Sequence, residues 1–174
     1  WMDIFFFFCN KNEIYTNLLR KLIEEYQKLN FANEVYLPLE SVLYAYGTLL
    51  DVKRLREIYS DPDRIEPNYT PNTKVYLPKT NQELDFAKSY LCALTAELVF
   101  SQSETLLKSK PFLKETDLLD FPGARSRMEK PLDAIENKTI PDLLLRGKVA
   151  YLFNKYSTAE KINILIFCAK HEQT

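Results

Sequence analysis

Ile14, Leu18, Leu19, Leu22, Ile23, Tyr26 and Leu29 recur at helical intervals. That spacing predicts one amphipathic helix over 11–30, with lysines and glutamates on its far face. Asn10 or Asn12 is placed to cap its first turn. The aromatic run 4–8 just ahead fits a buried strand or the first turns of the same helix, and periodicity does not separate the two. "EVYLP" (34–38) predicts a short extended piece ended by Pro38. "LESVLYAYG" (39–47) predicts a short helix stopped by Gly47. "DVKRLREIYS" (51–60) predicts another, with Asp51 as N-cap and Val52, Leu55, Ile58 and Tyr59 on one face.

Residues 61–81 carry Pro62, Pro67, Pro71 and Pro78, and predict a loop with one strand-like island, "KVYLP" (74–78). Residues 82–101 place Leu84, Phe86, Ala87, Tyr90, Leu91, Ala93, Leu94 and Leu98 on most sides of a helix, which predicts burial between layers. "DLLDF" (117–121) predicts a strand halted by Pro122-Gly123. The polar stretch 124–138, broken by Pro131, is expected to be mobile. Thr139 is a candidate N-cap, with Pro141 in the first turn and Asp142 three residues on. The helix it starts is expected to reach Tyr156, although Gly147 inside it costs about 1 kcal/mol against Ala. "INILIFC" (162–168) has the continuous β-branched character of a buried parallel strand. Strand, loop, helix, strand makes one βαβ unit with a right-handed crossover. The expected fold is α/β: a partial parallel sheet with flanking helices (81–174) behind a mostly helical N-terminal part (1–80), forming one compact unit.

Composition adds exclusions. Hydrophobic residues are 46% and charged residues 27%, which is globular usage rather than disorder. A net charge of −1 gives no bulk attraction to nucleic acid or acidic membranes. No apolar run reaches the ~18 residues of a membrane helix. Cys9, Cys92 and Cys168 stand apart in apolar runs and suit reduced thiols of a cytoplasmic protein. His171 is the one histidine and cannot build a histidine metal site alone. The glycines are Gly47, Gly123 and Gly147, and loops that cradle phosphate with backbone amides need several close together. Trp1 ahead of Met2 does not look like a natural start.

The chemistry concentrates in "TDLLDFPGARSR" (116–127). On its own, "LLDFPG" fits a strand and a Pro-Gly turn. It also matches Asp-x-x-Gly, the switch of P-loop GTPases. There a strand-end carboxylate holds Mg²⁺ through water, and a glycine amide meets the γ-phosphate. Proline before the glycine resembles the Asp-x-Pro-Gly form of dynamin-like GTPases. Arg125 and Arg127 are candidate phosphate or partner contacts, or solvated surface. Lys148, Lys155 and Lys161 are unclustered and read as surface. Thr70, Thr73 and Thr80 occupy the loop where a GTPase keeps its Mg²⁺-binding threonine, and the sequence does not choose among them. "CNKNE" (9–13) imitates the guanine-reading Asn-Lys-x-Asp, but with Glu13 for aspartate and in permuted order. A helix start is the better reading.

"YGTLLDVKRLREIY", "LCALTAELVF", "DLLDFPGARSR" and "LLRGKVAYLFNKYS" together resemble the bacterial virulence factors of the SrfC-like family, large proteins with a dynamin-like GTPase region. The likeness covers most of 11–170, loosely before 80. It implies a Walker loop upstream of residue 1 and a base-reading motif after 162–168, so the chain looks like an internal fragment. On this resemblance Asp120 and Gly123 are the nucleotide- and Mg²⁺-binding residues of the complete protein, Asp120 acting through water. GTP and Mg²⁺ are the expected cofactors there, and the chain alone is expected to hydrolyse nothing. The alternative is a non-catalytic binding or scaffold module whose partners are proteins or further copies of itself.

Overall fold

The computed structural model describes residues 12–44, 47–51, 54–55, 72–120, 139–162 and 164. Helix α1 spans Glu13–Lys28. Asn12 caps it: its Oδ1 accepts from the Tyr15 amide at 2.9 Å. Glu13 in the first turn and Lys28 in the last oppose the helix dipole favourably. Leu18 and Leu22 are buried, as the periodicity requires. The helix ends through Asn30 and Phe31, with φ of 52° and 51°. Asparagine tolerates that left-handed geometry, whereas phenylalanine is strained in it. Tyr26 holds Phe31 there, with an edge-to-face ring contact at 5.2 Å and a hydroxyl donating to the Phe31 carbonyl at 3.2 Å.

Helix α2 (Leu39–Val42) is only one turn. It runs straight into β1 (Leu43–Tyr44), which pairs antiparallel with β2 (Gly47–Thr48). The helix expected over 39–47 is therefore shorter, and Gly47 sits in a strand rather than stopping a helix. Of the helix expected at 51–60, Arg54 and Leu55 are helical and the remainder lies mostly outside the described residues.

Strand β3 (Asn72–Leu77) contains the "KVYLP" island. It pairs antiparallel with β4 (Gln82–Ala87), from Asn72 opposite Ala87 to Leu77 opposite Gln82. Asn81, at φ 55°, supplies the left-handed residue that closes the turn. Thr73, Val75 and Leu77 point inward and are buried, with Leu84 and Phe86 on the same face. Tyr36 adds an antiparallel bridge to the free side of Tyr76, so "EVYLP" is extended as expected.

The single helix expected over 82–101 is corrected. Its first third is β4, helix α3 covers only Lys88–Leu94, and residues 95–103 are irregular. Glu83 and Asp85 alternate with Leu84 and Phe86, and a period of two satisfies a hairpin partner that a helix would leave unpaired. Helix α4 (Glu104–Ser109) and a 3₁₀ turn (Pro111–Lys114) follow.

Helix α5 covers Ile140–Thr158, with Thr139 at its N-cap position and Pro141 in the first turn. The Thr139 side chain makes no capping bond to that turn. Of the strand expected at 162–168, Ile162 and Ile164 are irregular and the rest lies outside the described residues, as does the stretch 124–138.

One core joins these parts: Leu18, Leu22 and Leu29 of the α1 region, Val75, Leu77 and Phe86 of the hairpin, Leu91 and Cys92 of α3, and Ile140. No parallel P-loop-like sheet is seen among the described residues, and most of its expected strand at 162–168 lies outside them. Both sheets among the described residues are antiparallel and two-stranded, and they join adjacent stretches of chain. A buried parallel strand needs apolar cover on both faces, and 117–120 has none. Helices and small antiparallel sheets make a mixed α and β fold.

Candidate functional site

Asp120 does not end a strand. Residues 116–120 are irregular, and Asp120 is exposed. Leu118 keeps 70% of its surface in solvent and Leu119 42%. Gly123, Arg125 and Arg127 lie outside the described residues, as do Thr70, Cys9, Cys168 and His171. Of the two remaining candidate threonines, Thr80 is exposed in the hairpin turn. Thr73 is buried, and its hydroxyl donates to Ser41 Oγ at 2.6 Å, tying the hairpin to α2. A threonine so engaged has a structural role. Among the described residues no group of three or more His, Cys, Asp or Glu could hold a metal ion.

The irregular stretch 95–103 meets α5 through Glu97. Glu97 accepts from Lys155 Nζ at 2.6 Å and from the Tyr156 hydroxyl at 2.7 Å. Burial opposes ionisation of Glu97, yet those two hydrogen bonds and the charges of Lys155 and Lys161 outweigh it, so its carboxyl lies below the ordinary range. The hydrogen bond to Glu97 raises Lys155. The phenol's own hydrogen bond to Glu97 raises Tyr156, with burial and the charges of Glu97 and Asp117 adding to it. Asp117 and Glu97 thus both act on one phenol. The chain beyond each of them is apolar and exposed: Val99 at 85% and Phe100 at 49% beyond Glu97, Leu118 and Leu119 beyond Asp117.

Helix α5 extends the same character. Its apolar side chains are spread around the whole circumference, a pattern that belongs to a helix covered on all sides. Even so, Tyr151 and Phe153 remain half exposed or more. Phe112 in the 3₁₀ turn is 57% exposed. Among the described residues the C-terminal half therefore presents exposed apolar groups on irregular chain and on one long helix.

Lys155 lies on the surface as expected, paired with Glu97, whereas reading Lys148 as surface missed its role. Lys148 is largely buried and its Nζ donates to the Cys92 carbonyl, in the last turn of α3. Burial holds its amine below the usual lysine range. Cys92 is a free thiol, fully buried, whose Sγ faces the Asp51 carbonyl at 3.7 Å. The apolar run around Lys148 was the signal: Leu143, Leu144, Leu145, Val149 and Leu152 surround it on α5.

No helix among the described residues is long and apolar enough to cross a membrane. No curated protein and no solved structure matches the chain. The family model described as "Putative bacterial virulence factor" matches residues 4–174, and the chain belongs to that family.

Proposed function

We propose that this chain is a protein-binding module of a bacterial virulence factor, docking through the apolar surface around Tyr156. The observation that supports this most is the exposure of Val99 and Leu118, at 85% and 70%, on two irregular segments, the first tied to α5 through Glu97. Water is excluded from such groups at a favourable ~25 cal/mol per Å², so a partner surface gains from covering them. Glu97, bonded to Lys155 and Tyr156, holds the Val99 segment against α5 and spares it part of the ordering cost on binding. Light scattering on the chain, and on Val99→Asp with Leu118→Asp, tests this. The expected result is concentration-dependent assembly that the paired substitution abolishes while circular dichroism stays unchanged. Assembly indifferent to both charges would defeat the reading.

A second reading keeps "LLDFPG" as the metal-facing switch of a dynamin-like GTPase. The motif itself favours it. An exposed Asp120 carboxylate could be reached by a Mg²⁺–nucleotide held mainly by other segments, because this chain contains no G-x-x-x-x-G-K-[ST] loop.

A further inference from the structure

Tyr36 and Tyr76 face each other across the antiparallel bridge, each amide donating to the other's carbonyl at 2.9 Å. Their rings lie nearly parallel, 14° apart with centroids at 6.2 Å, and keep 54% and 37% of their surfaces exposed. They wall a shallow groove of about 180 Å³, shared with Leu37, Pro38, Lys74 and Glu83. Small-molecule sites run to roughly 300–1,000 Å³, so this groove suits one side chain rather than a nucleotide or a sugar chain.

The charge around the rings is unbalanced. Lys74 stands 3.4 Å from Glu83 and 3.9 Å from Asp85, so among the described residues one cation faces two carboxylates here. Glu34 is a third carboxylate, close enough to the Tyr36 hydroxyl to raise that phenol. All three acidic side chains are exposed. A flat π surface beside carboxylates matches a guanidinium, which stacks on its plane while its edge donates two parallel hydrogen bonds. An ammonium can answer the charge but cannot stack in that way.

We propose that this tyrosine shelf takes an arginine side chain from an extended segment of a partner protein, Glu83 and Asp85 receiving its charge. The proposal rests on the protein-binding reading but uses a different surface from the one around Tyr156. Lys74 is then a competitor that the incoming arginine displaces.

The probe is a fluorescein-labelled peptide, Gly-Pro-Arg-Pro-Gly, with its lysine counterpart, titrated by anisotropy into the intact chain. The expected result is saturable binding of the arginine peptide, several-fold tighter than the lysine peptide. Glu83→Gln with Asp85→Asn should weaken it about tenfold, and Lys74→Gln should tighten it. Tyr36→Phe should retain it and Tyr36→Ala should lose it, with circular dichroism confirming the fold of each variant. Equal binding of the two peptides, or indifference to Lys74→Gln, would overturn the shelf. Light scattering on the same samples separates the two surfaces. Peptide binding lost while assembly persists overturns the shelf alone, and the Val99→Asp, Leu118→Asp chain should still bind the peptide.

Discussion

Lys148 shows how one buried side chain ties elements together. Its stem is half-buried on α5, and its amine serves a carbonyl in the last turn of α3, where intrahelical partners run out. Lys148→Ala removes both, and should cost about 1–3 kcal/mol in urea unfolding. Lys148→Met keeps the stem and should cost less. The pH sign follows from burial. The folded-state pKa lies below the unfolded value near 10.5, so the folded chain binds fewer protons in the window between them. The stability contribution of Lys148 is complete above the unfolded value and is lost as pH falls through the folded one. The gap between wild type and Lys148→Met should therefore change across that alkaline window and be flat below it. A gap constant with pH throughout would show that Lys148 is not desolvated. Lys155 has the opposite sign: raised by Glu97, it contributes below its unfolded pKa and is lost as pH rises through the folded value. Because its side chain is 42% exposed, that pair is worth ~1 kcal/mol at most.

The hairpin carries the core, and its two decisive positions differ in kind. Phe86 is 3% exposed against Val75, Leu77 and Leu91 in one cluster, so Phe86→Ala should cost roughly 3–5 kcal/mol. Asn81 matters through its backbone: at φ 55°, Asn81→Ala should cost about 1–2 kcal/mol, and Asn81→Gly less, because glycine removes the Cβ clash. Thermal melts of the three variants should fall in that order. Elements with a single strong period were legible in the sequence. Helix α1 with its Asn12 cap and strand β3 follow from spacing and capping chemistry, whereas α5 has no apolar stripe and was marked by Pro141 in its first turn. Residues 82–101 were not, because Leu84, Phe86, Ala87, Tyr90 and Leu91 satisfy a helical wheel as well as an alternation that then turns helical. Only the partner strand β3 decides between them, and pairing across a turn is not visible in one segment. "DLLDF" failed in the other direction. Its apolar pair reads as strand, but a strand exists only where a neighbour completes the ladder, and 117–120 has none. The Lys148 bond and the Glu97 clamp join residues 56 to 59 apart, beyond any local pattern.

At the scale of the whole molecule, the question is whether the chain can hold a nucleotide unaided. Affinity for nucleoside triphosphates in P-loop proteins comes chiefly from a run of loop amides, a lysine and Mg²⁺. Gly47 is in a two-residue strand and Gly147 inside α5, so neither belongs to such a loop. The buried Lys148 is engaged with a carbonyl, and Lys155 is paired with Glu97. Asp120 is a single carboxylate exposed to water, and one ligand against full hydration gives little metal binding. Calorimetry of the chain with GTP and Mg²⁺ is therefore expected to show no saturable heat in the micromolar range, and Asp120→Ala should leave both that result and the melting temperature unchanged. The same substitution separates the two readings of "LLDFPG" when made in a longer protein that supplies a phosphate loop. If the segment is a switch, Mg²⁺-dependent GTP hydrolysis falls by orders of magnitude while assembly through Val99 and Leu118 persists. If it is only the apolar edge of a docking surface, hydrolysis is unaffected, and Leu118→Asp rather than Asp120→Ala is the change that matters. Micromolar GTP binding by the chain alone would contradict the partition, because phosphate affinity would then have to come from residues with no amide cradle among them.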